Sequence, residues 1–210
     1  MSIFLAVIAG YVLGAIPVGL LVGRFTHGVD LRAHGSHRTG ATNALRTLGM
    51  GAAAVVFALD VAKGLVAVLL PRLLFGADPL VEVAAAAGGL AAIVGHNWSI
   101  FIGFTGGRGS ATAAGGLAGM TPWTLAILAP IVYLVVMRTR YVSLGSLTGA
   151  IGAPILTAIL AALGWASLPA VAYSFGAGLL VLTSHADNIA RLRSGTERRI
   201  GQKDQVPTGG

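Results

Sequence analysis

Long apolar runs separated by short polar segments dominate this chain, and the lengths of those runs predict helices that cross a lipid bilayer. The first run predicts a helix over about 2–25, with Pro17 as a kink and Gly10-x-x-x-Gly14 and Gly19-x-x-x-Gly23 as surfaces for close helix contact. A polar segment, about 24–46, follows. A second helix is predicted over about 49–70, with Asp60 and Lys63 inside it and Pro71 and Arg72 at its end. After a turn through Asp78 and Pro79, a third covers about 80–97. Beyond a glycine-rich stretch, Thr121-Pro122 divides the next apolar run into a short helix over about 110–119 and a longer one over about 122–137. The last two are predicted over about 143–163 and from about 169 to His185 or beyond. The expectation is therefore an all-α polytopic membrane protein of seven helices, with the short one sheltered by its neighbours. It forms a single domain over 1–197, and a polar tail over 198–210 is expected to be disordered past Lys203.

Composition agrees with this class. Of 210 residues, 55% are hydrophobic and only 10% charged, with a mean hydropathy of +0.83; soluble domains are about one quarter charged. The first apolar run lacks the basic start and small-residue exit of a cleavable signal peptide. No cysteine is present, which excludes disulfides, thiol nucleophiles and Cys-ligated metals. The net charge of +7 fits basic cytoplasmic loops and anionic lipid rather than nucleic acid. Twelve of the fourteen Lys and Arg fall in 24–46, at Arg108, in 138–140 and in 191–203. The positive-inside rule places these four segments in the cytoplasm, the N-terminus outside and the C-terminus inside. The polar motifs then meet at the cytoplasmic rim.

Four motifs carry candidate chemistry. Gly106-Gly107-Arg108-Gly109, ahead of a helix start, offers backbone N–H groups, a helix dipole and a cation to one anion; the alternative is a glycine-rich turn with an interfacial Arg. His96, just upstream beside Trp98, either orients this loop or touches ligand. In the polar segment, Ser36, Thr42, Asn43 and Arg46 suit a phosphate or polyol pocket, although Ser36, Thr39 or Thr42 equally suit a helix cap. Ser143 and Ser146 share a helical face, as do His185 and Asn188, while Asp187 and Arg191 suit a solvated i,i+4 pair. Asp60 and Lys63 read as a structural ion pair near the site. No HExxH pattern or carboxylate cluster points to a metal.

Taken together, GSHRTGATNALRTLG, GHNWSIFIGFTGGRGSAT, RYVSLGS and HADNIARLRSGTE resemble the motifs of the bacterial acyl-phosphate:glycerol-3-phosphate acyltransferases, the PlsY family, from about Gly10 to Glu197. The resemblance implies a seven-helix enzyme of the bacterial inner membrane with its site on the cytoplasmic face. Such an enzyme moves an acyl group from acyl phosphate to the 1-hydroxyl of glycerol 3-phosphate, releasing lysophosphatidic acid and phosphate, without metal or cofactor. It implies that Ser36, Asn43 and Arg46 hold substrate, that Arg108 stands where the family has a Lys, and that Ser143, His185 and Asn188 surround the reacting centre. A substrate phosphate is the base. The chain departs from the family pattern at His37-Arg38 (usually Gly-Asn), at Arg108, and at Ser99 (usually Pro). The rival readings are a small transporter or flippase for an anionic solute or lipid, and a lipid phosphatase. No inverted repeat supports the first, and no second His motif supports the other.

Overall fold

The computed structural model describes residues 1–202, and nearly all regular structure among them is helical. In chain order the helices are α1 (Ser2–Ala15), α2 (Val18–His27), α3 (Ala41–Thr47), α4 (Met50–Phe75) and α5 (Val81–Asn97). They continue with α6 (Ser110–Met120), α7 (Pro122–Thr139), α8 (Val142–Ala162), α9 (Leu168–Ser184) and α10 (Ala186–Arg193). Ser2–His27, Met50–Phe75, Pro122–Thr139 and Val142–Ala162 are each long and apolar enough to cross a membrane, and α9 with α10 forms a further candidate bent by 60°.

Pro17 does more than kink the first run: it ends α1 and caps α2. The break frees carbonyls that a straight helix would use. Ser99 Oγ donates to Ala15 O at 2.5 Å and Lys63 Nζ donates to Ile16 O at 3.1 Å. A proline at position 99 would supply neither this hydroxyl nor the Ser99 N–H that reaches Thr105 O at 3.2 Å, so the departure to serine gains two bonds here. The predicted end of the second helix is corrected. α4 runs through Pro71 to Phe75, because the Arg72 guanidinium is clamped to Glu82 at 2.7 and 2.8 Å and to Gly119 O at 2.8 Å, which holds the extra turn.

In lipid, helices approach through small residues. A Cβ on Gly10 or Gly14 would collide with the backbone of α5 at Gly88 or Ala92, so α1 and α5 lie backbone to backbone. The second glycine pair behaves otherwise: Gly19 and Gly23 abut Thr39, Val29 and Leu31 of the α2–α3 segment rather than a helix. Tyr173 centres the core. It is fully buried and its hydroxyl donates to Ala113 O at 2.9 Å. Large apolar side chains such as Phe4, Ile8, Leu73, Trp123 and Ile155 point outward. Residues 198–200 pack back on the domain: Ile200 N–H donates to Arg140 O at 2.8 Å, and Arg199 lies over the Tyr141 ring. The expected disorder past Lys203 falls outside the described residues.

Candidate active site

Two cavities meet at the ends of α3, α4, α6, α8 and α9. The first is polar, about 150 Å³, and is lined by Thr42, Asn43, Arg46, Asp60, His96, Gly107, Arg108, Gly109, Ser143, His185 and Asn188, with Arg38 and Glu197 beside them. Of the residues expected in the site, only Ser36 and Gly106 lie off its wall. The second is apolar, about 470 Å³, and runs between α6, α7, α8 and α9. Phe57, Ser110, Ala111, Val142 and Ser146 line both. One continuous space is thus polar at one end and hydrocarbon-like at the other.

The polar segment before α3 is held by Asn43. Its Oδ1 accepts the Ser36 N–H at 3.0 Å, and its Nδ2 donates to Leu31 O, His34 O and Arg38 O at 2.9, 3.1 and 2.8 Å. The amide is occupied in shaping the loop. Ser36 contributes its backbone to the same staple, whereas Thr42 and Arg46, at the start and end of α3, face the cavity.

The glycine loop sits on His96. Gly107 N–H donates to His96 O at 3.0 Å, and the imidazole packs so closely that a Cβ on Gly107 would overlap Nε2. Gly109 adopts φ +75°, a left-handed conformation that favours glycine, and no side chain caps α6 after it. The first N–H groups of α6 therefore face the cavity beside Gly109, Ser110 and Ala111. Beneath the loop, Asp60 lies 2.9 Å from Lys63 and 3.3 Å from His96, all three buried, so the expected ion pair extends into a three-residue cluster that supports the loop.

Arg108 closes the other side. Its guanidinium meets Asp187 at 2.6 Å, and Asp187 also meets Arg191 at 3.3 Å. The Asp187–Arg191 pair is therefore shared with the glycine loop rather than simply solvated. At His185 the chain turns 60° between α9 and α10. His185 Nδ1 faces Val181 O at 2.8 Å; a carbonyl only accepts, so Nδ1 carries the proton and Nε2 is the free ring nitrogen.

Glu197 is the residue that sequence reasoning missed. Its Oε1 accepts Ser143 Oγ–H and Asn188 Nδ2–H, both at 2.7 Å, and its Oε2 accepts Arg191 Nε–H at 2.7 Å. One buried carboxylate thereby ties α8, α10 and the C-terminal segment around the cavity. Burial works to raise its carboxyl, but the bonds from Ser143, Asn188 and Arg191 together outweigh it and hold the group below the ordinary Glu range. The available signal was one acidic residue closing the last motif of a chain with only seven acids.

Known proteins match this architecture throughout. A family model described as glycerol-3-phosphate acyltransferase matches residues 4–195. The chain is 47% identical to a glycerol-3-phosphate acyltransferase of Synechococcus sp. (strain CC9902), over 97% of this chain and 98% of that one. It is 45% identical to glycerol-3-phosphate acyltransferase 2 of Moorella thermoacetica, over 95% and 98%. Crystal structures of PlsY (YgiH), an integral membrane glycerol 3-phosphate acyltransferase, superpose with a TM-score of 0.84 in the glycerol 3-phosphate form and 0.83 in the lysophosphatidic acid form. Their identities are 34% and 33%, with 96% of each chain covered.

Proposed function

The chain belongs to the glycerol-3-phosphate acyltransferase family, and on that premise we propose that it takes the acyl group from acyl phosphate and delivers it to the 1-hydroxyl of glycerol 3-phosphate. It is an acyltransferase of phospholipid biosynthesis. The observation that carries the proposed donor is the shared wall between the polar cavity and the apolar groove. An acyl phosphate has one end for each. From Val142 to Ala153 the groove follows α8 for about 16 Å at about 1.5 Å rise per residue, room for most of a fatty chain.

The acyl-phosphate head lies against Arg108, Gly107, Gly109 and the open N-terminus of α6. Arg46 and Thr42 hold glycerol 3-phosphate, with Ser36 and Asn43 keeping their loop in shape. The glycerol hydroxyl oxygen attacks the acyl carbon, the bond from that carbon to the phosphate oxygen breaks, and the hydroxyl proton passes to a substrate phosphate. An acyl phosphate is already activated, so the protein's contribution is alignment and charge stabilisation. Ser143 donates to Glu197 and so presents lone pairs, with which it accepts a hydrogen bond from the 2-hydroxyl of glycerol 3-phosphate, leaving the 1-hydroxyl proton to the phosphate. His185 and Asn188 complete the reacting centre. Seven spans, an outside N-terminus and a cytoplasmic site in the inner membrane of a bacterium give each substrate access from its own phase.

The test is purified protein in lipid with glycerol 3-phosphate and, in turn, acyl phosphate, acyl-CoA and acyl carrier protein as donors. Lysophosphatidate and free phosphate from acyl phosphate are expected. Folded protein that makes neither would overturn the reading.

A further inference from the structure

A third cavity, about 240 Å³, lies behind the glycine loop. Its wall is formed by Arg38, Asn97, Gly107, Ser184 and Asp187, with the exposed Trp98, Thr183 and Ala186 at its mouth. Only Arg38 and Gly107 also line the reaction cavity, so the partition between the two is a glycine and a guanidinium. The neighbouring charges are engaged. Arg108 and Arg191 hold Asp187, Asp60 faces Lys63 and His96, and Arg46 reaches Arg198 O. Among the described residues no hydrogen bond or ion pair engages the Arg38 guanidinium; only its backbone carbonyl is used, by Asn43. Asn97 is buried there, with Oδ1 unpartnered and Nδ2 donating to Ser184 Oγ at 2.7 Å.

We propose that this polar vestibule is the aqueous port of the active site and that Arg38 is its anion-binding residue, which takes up the phosphate group of the incoming acceptor and of the departing inorganic phosphate. This rests on the acyltransferase reading and extends it. The apolar groove serves a substrate and a product that stay in lipid, but the other substrate and the other product are small water-soluble anions. They need an entrance that does not cross hydrocarbon, and the vestibule is polar, opens beside Thr183 and Ala186, and meets the reaction cavity at a cation. The nearby Asp187 does not repel them, because two guanidiniums neutralise it.

The test is Arg38→Asn, with Arg38→Lys as the charge-keeping control and Ala186→Trp to crowd the mouth from outside the reaction cavity. A half-exposed charge-assisted contact predicts that Arg38→Asn raises KM for glycerol 3-phosphate about 5- to 30-fold. It should weaken inhibition by inorganic phosphate similarly, leave kcat and the donor KM near the parent, and recover substantially in Arg38→Lys. Ala186→Trp should lower kcat/KM for glycerol 3-phosphate with the donor KM held. KM and phosphate inhibition within twofold of the parent in Arg38→Asn would overturn the proposal, as would a loss of kcat alone. A parent inactive toward glycerol 3-phosphate would instead overturn the acyltransferase reading. The stabilisation of parent and Arg38→Asn by inorganic phosphate would still decide the role of Arg38: an equal shift in Tm overturns it, and a smaller shift in the variant supports it.

Discussion

Replacing Glu197 by Ala removes the acceptor of three bonds, from Ser143, Asn188 and Arg191, all at 2.7 Å. A hydrogen bond to a charged group contributes about 1.5–3 kcal/mol. The Arg191 side chain is 36% exposed, which places its share at the low end. Ser143 and Asn188 are buried, and stranding their donors costs about 1–3 kcal/mol each. The variant should therefore lose about 3–5 kcal/mol, enough to lower Tm by several degrees and to release α10 and the C-terminal segment from the cavity. Glu197→Gln separates charge from shape. It keeps an acceptor for Ser143 and Asn188 but turns an amide towards Arg191, so its loss should be about half. The pH dependence gives a second readout. Because the carboxyl is held below its ordinary value, the clasp is complete above the unfolded Glu range of about 4.3 and is lost as pH falls through the lower folded value. Thermal unfolding from pH 3 to 7 in detergent, alongside turnover, is the assay. The parent should lose stability in acid, and Glu197→Gln should lose less; the remainder comes from Asp30 and Asp187, also held below the ordinary carboxylate range, and from His185, held below the ordinary His range. An alanine variant with parental Tm and turnover would refute the clasp.

Arg108→Ala should abolish nearly all turnover while Arg108→Lys keeps much of it; full activity in the alanine variant would remove the glycine loop from the mechanism. Asp60→Asn should harm folding more than chemistry, since it leaves Lys63 buried without its counter-ion at a cost of about 3–5 kcal/mol. A variant with parental thermal stability and no activity would reverse that assignment. Ala153→Phe, which fills the far end of the groove, should shift donor preference towards shorter acyl phosphates with KM for glycerol 3-phosphate unchanged. An unchanged chain-length profile would show that the acyl chain lies elsewhere.

The helices were legible because bilayer thickness imposes a length on each apolar run, and the Thr121-Pro122 break is where α7 begins, with Pro122 at its first turn. Pro71 misled because a residue-level rule cannot see the Arg72–Glu82 clamp that carries α4 past it. Gly107 and Arg108 were readable as a loop motif and His96 as a residue that orients it, but the tie from His96 to Asp60 was not: the two lie on different helices, 36 positions apart, and only tertiary packing unites them. Asn43 was recognised as important for its chemistry, yet its hydrogen bonds run to backbone within its own segment. Glu197 was passed over, although it closes the last motif, because nothing local separates a buried acid from one in a solvated tail.

The contact between α1 and α5 has an evolutionary consequence. Where two backbones touch at Gly10 and Gly14, even the smallest step from glycine, to alanine, collides with main chain that cannot rotate away. Such positions are frozen one at a time, because no single neighbouring change restores the fit. The outward-facing side chains of α4, α7 and α8 away from the cavities, such as Leu73, Ile131 and Ile155, face lipid tails and can exchange among apolar types nearly freely. Substitutions are therefore accommodated more readily on the bilayer-facing surfaces than along the α1–α5 contact. An acyl-binding groove bounded by α7 and α8 can adapt to a new membrane while the α1–α5 post stays the same.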